Sequence, residues 1–215
     1  MRITTSFLIL MAVQSILLFS CQNEAKLPYY GERDYVYKDG EIADTLFHEI
    51  PDFIYTNQDG NTVQKSDLIG SVFVADFFFT TCPSICPKMT SQMKRLQTLT
   101  QDIEELRFVS FTINPKNDTP EVLLEYANQY GVSLSNWDFL TGEEEATHHL
   151  GVKGFLVHAR ADEDEPGGFA HSPSLVLIDR TGKIRGVYDG TSTEEVDELN
   201  QDIRKLLRTE YGIRK

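Results

Sequence analysis

The run Val72-Phe73-Val74-Ala75-Asp76-Phe77-Phe78-Phe79 constrains this chain more than any other stretch. It has the length of a strand, consists almost wholly of β-branched and aromatic residues and lacks polar alternation, so it reads as a strand covered on both faces. It leads straight into Cys82-Pro83-Ser84-Ile85-Cys86, after which Met89, Met93, Leu96 and Leu99 recur at helical spacing. A buried strand, a two-cysteine loop and an amphipathic helix therefore follow one another without interruption.

Strand and helix go on alternating. Arg107–Ile113 reads as a second strand. Thr119-Pro120-Glu121 starts a helix, because proline at the first helical position lacks only a donor that would be unpaired anyway. Val122, Leu123, Tyr126 and Tyr130 line that helix and Gly131 ends it. Trp137–Leu140 is a third strand and Glu143–Leu150 a short helix. Ser174–Ile178 and Lys183–Tyr188 form a hairpin across Asp179-Arg180-Thr181-Gly182. Ser192 with Glu195 makes a capping box for the last helix, whose apolar positions Val196, Leu199, Ile203, Leu206 and Leu207 face the core. Ahead of the central strand, Phe53-Ile54-Tyr55 and Thr62-Val63 flank the turn-rich Asn57–Asn61, which predicts an N-terminal hairpin extension. The element order predicts an α/β, thioredoxin-like fold, a central mixed sheet flanked by helices.

The first twenty residues carry one charge, Arg2, followed by an apolar run from Phe7 to Phe19. A basic start and an apolar stretch too short to span a bilayer describe a secretory signal peptide over residues 1–20. Leu18-Phe19-Ser20-Cys21 resembles a bacterial lipobox, which makes Cys21 the lipidation site and places the domain outside the cytoplasm, anchored in a bacterial envelope. Losing Arg2 with the signal takes the net charge from −13 to −14, a balance that repels nucleic acid and anionic lipid. Residues 21–45, polar and without hydrophobic periodicity, read as a flexible tether, residues 46–208 as one domain with a full core, and 209–215 as a tail. The acidic run Asp162-Glu163-Asp164-Glu165 before Pro166-Gly167-Gly168 is a solvated loop.

Three cysteines are too few for a disulfide scaffold, and with Cys21 assigned to lipid only Cys82 and Cys86 remain for chemistry. Four-residue spacing puts both sulfurs on one face once the segment is helical. A helix N-terminus favours the thiolate, the form that binds metal and attacks disulfides. Soft sulfur ligands select Cu(I) or Zn(II), and two of them leave a coordination position for a third donor. His171, just ahead of the strand Ser174–Ile178, is the candidate for it. His158 is a reserve ligand, His48 falls in or beside the tether, and the adjacent His148 and His149 read as surface residues. Met89 and Met93 read as core.

Phe78-Phe79-Thr80-Thr81-Cys82-Pro83-Ser84-Ile85-Cys86-Pro87 resembles the F-x-[YF]-T-x-C-P-x-x-C-P block of the Sco/SenC family. Ser110-Phe111-Thr112-Ile113-Asn114-Pro115-Lys116-Asn117-Asp118-Thr119-Pro120 is similar to its S-x-D-P-x-x-D-T-P block, and His171-Ser172 to its D-H-[ST] element. The resemblance spans residues 46 to 208. It implies a copper chaperone with Cys82, Cys86 and His171 as ligands for Cu(I) or Cu(II), serving assembly of the CuA centre on a cytochrome oxidase subunit. Two positions depart from the pattern: Asn114 stands where Asp is usual, and Ala170 where an acid precedes the histidine. The second change removes a carboxylate that would raise imidazole basicity.

The same residues support thiol–disulfide exchange, with Cys82 as nucleophile and Cys86 as resolving thiol. Asp76 lies where thioredoxins keep a buried acid, and such a carboxyl passes protons to a nearby sulfur. Pro173 matches the thioredoxin proline whose peptide bond is cis. The C-x-x-x-C spacing, longer than C-x-x-C, favours metal. A peroxidase-type site needs threonine three residues before its cysteine, and Phe79 occupies that position.

Overall fold

The computed structural model describes residues 24–161 and 169–213, with the backbone alone for 159–161 and 169–171. In chain order the elements are β1 (Arg33–Lys38), β2 (Glu41–Phe47), β3 (Ile54–Asn57), β4 (Thr62–Gln64), α1 (Lys65–Leu68), β5 (Val72–Phe78), α2 (Ile85–Leu99), β6 (Leu106–Thr112), α3 (Pro120–Tyr130), β7 (Trp137–Thr141), α4 (Glu144–His149), β8 (Ala159–Ala161), β9 (Phe169–His171), β10 (Ser174–Ile178), β11 (Ile184–Asp189) and α5 (Thr193–Tyr211). A π-helical turn, Leu150–Gly154, follows α4. The signal peptide, Cys21 and the acidic run 162–165 lie outside the described residues.

The main sheet has seven strands in the order β11-β10-β5-β6-β7-β3-β4. β5, β6 and β7 run parallel, joined by the crossover helices α2 and α3, as parallel neighbours require. β10 lies antiparallel to β5, with Val176 opposite Ala75 and Ile178 opposite Phe73. The mixed sheet flanked by helices is the thioredoxin-like arrangement expected from the sequence. β5 is buried at every position, so its lack of polar alternation reported two covered faces. Aromatic rings fill one region of the core: Phe77 stacks on Phe111 at 5.1 Å between centroids, and Phe155 meets Phe77 at 5.3 Å.

The helix boundaries follow from local chemistry. Thr119 caps α3 by accepting from the Val122 amide, Pro120 occupies the first turn, and Gly131 closes the helix at φ 60°. Thr119→Ala is expected to lower stability by about 1 kcal/mol in urea unfolding, as loss of a helix cap does. At α5, Ser192 accepts from the Glu195 amide at 3.3 Å, but the Glu195 carboxylate takes the Asp189 amide at 2.6 Å. The predicted capping box is therefore half formed, the glutamate instead tying the helix start to the end of β11.

The tether reading is corrected over most of its length. Glu24 pairs with Arg208 at 2.6 Å and Leu27 is buried. The fully buried Arg185 donates to Leu27 O at 2.6 Å and Pro28 O at 3.0 Å, while the Tyr29 ring lies 4.1 Å from its guanidinium carbon. Asp179, 3.0 Å away, and Glu210 hold the same guanidinium. β1 and β2 then pair as an antiparallel hairpin that is exposed over nearly its whole length. Because it buries almost nothing, it leaves no hydrophobic periodicity in the sequence. The hairpin predicted over 53–63 is present as β3 and β4, and it joins the main sheet through the pairing of Thr56 with Thr141.

Candidate metal and thiol site

Cys82 stands just beyond the end of β5, and Cys86 is in the first turn of α2. Both are buried and both are thiols. Ser84 occupies the helix N-cap position without a side-chain capping bond. The Cys82 sulfur takes that role, accepting from the Cys86 amide at 3.5 Å, while the Cys82 amide donates to Phe79 O at 3.2 Å. The positive end of α2 is thus directed at Cys82.

Cys86 departs from the expectation of a favoured thiolate. Burial pushes its pKa well above the ordinary thiol value, and the hydrogen bond that its thiol donates to Cys82 and the nearby Cys82 and Asp76 groups add to this, while a backbone amide bond from Phe79 opposes it. Taking sulfur out of water outweighs the helix terminus. Of the two, Cys82 is the more accessible, at 7% against 0%.

Asp76 is buried inside β5, as the thioredoxin comparison predicts. Burial raises its carboxyl from 3.8 to about 7, with the Ser110 hydroxyl partly countering by donating to the charged form. Ser110 in turn accepts from Trp137 Nε1 at 2.9 Å. One carboxyl oxygen of Asp76 has no hydrogen-bond partner, consistent with a group that resists ionisation.

His171 ends β9, three residues before β10, the strand that lies against β5. Its backbone pairs with Ala159, and the Ser172 amide donates to His158 O at 3.0 Å. The imidazole of His171 and the side chain of Ala170 lie outside the described residues. Among the described residues no group of three His, Cys, Asp or Glu side chains is arranged to hold a metal. The donor chemistry still fits copper, since Cys82 and Cys86 bring two soft sulfur donors to one helix entrance. No described peptide bond is cis, so the bond before Pro173 is trans and that part of the thioredoxin comparison fails.

The remaining histidines are elsewhere. His48 Nε2 lies 2.7 Å from Gly154 O, and His148 Nε2 lies 3.1 Å from Ile113 O, so His148 braces the end of β6 and is not a plain surface residue. His149 and His158 are exposed. Met89 and Met93 are fully buried in the core, as expected. A cleft of about 770 Å³ between β3 and α4, lined by Phe53, Ile54, Tyr55, Ala146, His149 and Leu150, includes neither cysteine.

One residue at the site escaped the sequence reading. Asp118 is fully buried and accepts from the Thr80 amide at 3.0 Å, Thr80 Oγ1 at 2.5 Å, Asn117 Nδ2 at 2.7 Å and Thr112 Oγ1. It pins the first residue of the cysteine loop to the end of β6. The available signal was its place in the Ser110–Pro120 block, which carried no role for it, because an acid directly before a helix start is usually solvent-exposed. Asn114 is held through its backbone: its amide donates to Thr112 Oγ1 at 3.1 Å, and its carbonyl accepts from Asn117 and Asp118.

Comparison with known proteins supplies the family. A model described as SCO1/SenC matches residues 43–208. A SCO1 protein homologue of Bacillus subtilis is 36% identical over 166 residues, covering 76% of this chain and 86% of its own. A SCO1/SenC family lipoprotein from Bacillus anthracis matches at 35% identity and TM-score 0.69, over 74% of this chain and 95% of that one. BsSco, described as a member of the Sco family of cytochrome c oxidase assembly proteins with a disulfide switch, matches at 34% and TM-score 0.67, over 77% and 96%. Arabidopsis thaliana ScoI, solved with copper bound, shares the fold at 22% identity and TM-score 0.62, over 74% and 97%. With the family's model covering most of the chain and its two-cysteine loop standing at the end of the central strand, this protein belongs to the SCO1/SenC family.

Proposed function

We propose that this chain binds copper as cargo through Cys82, Cys86 and His171 and delivers it to the oxidase subunit that carries the CuA site. The observation that carries this reading is the pairing of two buried sulfurs at one helix entrance. Two thiolates make a soft site that prefers Cu(I) to hard cations. Both thiols must lose their protons to ligate, so uptake releases protons and tightens as pH rises. The Arabidopsis protein of the same fold holds copper, and BsSco is an oxidase assembly protein. The lipobox-like Leu18–Cys21 supports anchoring through a lipid on Cys21, as does the Bacillus anthracis relative, a lipoprotein. Among the described residues no helix is long and apolar enough to cross a membrane.

Competition titration of the reduced chain with a chromophoric Cu(I) chelator tests the proposal. His171→Ala is expected to weaken binding by about a hundredfold, or roughly 2.7 kcal/mol, and Cys86→Ser to remove the two-thiolate site. Unchanged affinity in His171→Ala would remove the histidine from the ligand set.

A second reading is favoured by Asp76, a buried carboxyl held near neutrality beside Cys86. Here the Cys82 thiolate attacks a partner's disulfide and forms a mixed disulfide. Cys86 then gives up its proton and displaces the partner, leaving a Cys82–Cys86 disulfide while two electrons pass to the partner. His171→Ala should leave this reduction intact, which separates the two activities.

A further inference from the structure

We propose that the domain stands on the bilayer with the end formed by Glu24–Tyr30, Arg185 and the β1–β2 hairpin against the lipid, so that Cys82 and Cys86 face away from it. The proposal rests on lipidation of Cys21, and it adds an orientation that lipidation alone does not imply. A lipid on a long flexible tether would leave the domain free to tumble.

The clamp removes that freedom. Glu24 is held by Arg208, and Leu27, Pro28 and Tyr29 are held by the buried Arg185. Glu24 follows Cys21 by three positions, with two residues between them, a reach of about 11 Å when fully extended. The lipid is therefore leashed to one end of the domain.

Sheet register says which end. Ile178 of β10 lies opposite Phe73, near the start of β5, and Ile184 of β11 lies opposite Ile178. Arg185 and its partner Asp179 thus sit at the beginning of β5. The cysteine loop follows the other end of that strand, whose seven residues span roughly 20 Å.

The hairpin belongs to the clamped end. One foot is fixed by the Tyr30 amide on Ile184 O at 3.0 Å, the other by the Ile50 amide on Gly182 O at 2.9 Å. Tyr37 pairs directly with Ile42, just beyond a register shift at Val36/Tyr37, and Tyr35 stands two residues earlier on the same strand. Tyr35, Tyr37 and Ile42 are 48%, 64% and 55% exposed. An exposed tyrosine-rich hairpin suits the headgroup layer, where an apolar ring and a polar hydroxyl are both accommodated. The acidic balance, −13 for the whole chain and one unit more negative without Arg2, gives anionic lipid no role in this contact, so zwitterionic bilayers suffice.

The test uses the full chain produced with its signal, reconstituted in phosphatidylcholine vesicles with brominated acyl chains. Tryptophan is introduced at the hairpin by Tyr37→Trp or beside the cysteine loop by Lys88→Trp, against the buried native Trp137. The expected result is loss of most of the added emission for Tyr37→Trp and none for Lys88→Trp. Equal quenching, stronger quenching of Lys88→Trp, or no quenching of either in protein that floats with the vesicles would overturn the orientation while leaving the anchor standing. A chain that does not float and carries no lipid mass at Cys21 would overturn the anchor, and the orientation with it.

Discussion

Asp118→Ala is expected to lower the unfolding free energy by about 3 kcal/mol, because a buried hydrogen-bond network loses its acceptor. Each carboxylate oxygen of Asp118 accepts two hydrogen bonds: Oδ1 from Thr80 Oγ1 and Asn117 Nδ2, Oδ2 from the Thr80 amide and Thr112 Oγ1. Alanine leaves those donors facing a void, and each buried one left without a partner costs about 1–3 kcal/mol. Asparagine is no remedy, because its NH2 group would turn a donor toward donors. Urea unfolding measures the loss directly. The same variant should speed amide hydrogen exchange at Thr80 and Cys82, since the cysteine loop loses its tie to β6 while β5 stays in the sheet. A loss under about 1 kcal/mol would mean that water replaces the carboxylate at little cost, and that the loop is held by other contacts.

Asp76→Asn has the opposite sign and depends on pH. The folded-state pKa of Asp76, about 7, lies above its ordinary value of 3.8. Between those values the folded chain keeps a proton that the unfolded chain has released, so stability falls as pH rises from about 4 to 7 and levels off above. The separation corresponds to about 4 kcal/mol. Asparagine has no proton to hold and its carbonyl can still accept from Ser110, so the variant escapes the decline. Its stability relative to wild type should therefore grow by about 4 kcal/mol between pH 4 and pH 8, with most of the change before pH 7. Urea denaturation at a series of pH values gives the difference curve, in which the other titrating groups cancel. Parallel curves for the two proteins would show that Asp76 ionises as easily folded as unfolded. A carboxyl of this kind gains or loses its proton near neutrality, where it can take the proton that Cys86 gives up when its sulfur binds a metal or attacks a mixed disulfide.

Much of the fold was legible because it rests on local rules. Burial on both faces of β5 showed in its unbroken apolar run, and the start and stop of α3 showed in Thr119-Pro120 and Gly131. The β10–β11 hairpin announced itself through Asp179-Arg180-Thr181-Gly182. The cysteine pair was equally plain, since two thiols four residues apart between strand and helix have few other uses. The polar segment before residue 46 was misread for the complementary reason. A hairpin that faces solvent carries no hydrophobic period, and the docking of Glu24–Tyr30 depends on Arg185, which is more than 150 residues away.

The sequence alone therefore determined the layer architecture, the position of the thiols after the central strand and the family resemblance, because each depends on residues near one another in the chain. Only the tertiary structure decided that Cys86 holds its proton more tightly than an ordinary thiol, that Asp118 fastens the cysteine loop and that the N-terminal strap is docked on Arg185. Those outcomes depend on which distant groups surround a given atom and how much water they exclude, and the energies of desolvation and long-range hydrogen bonding are set by that surrounding alone.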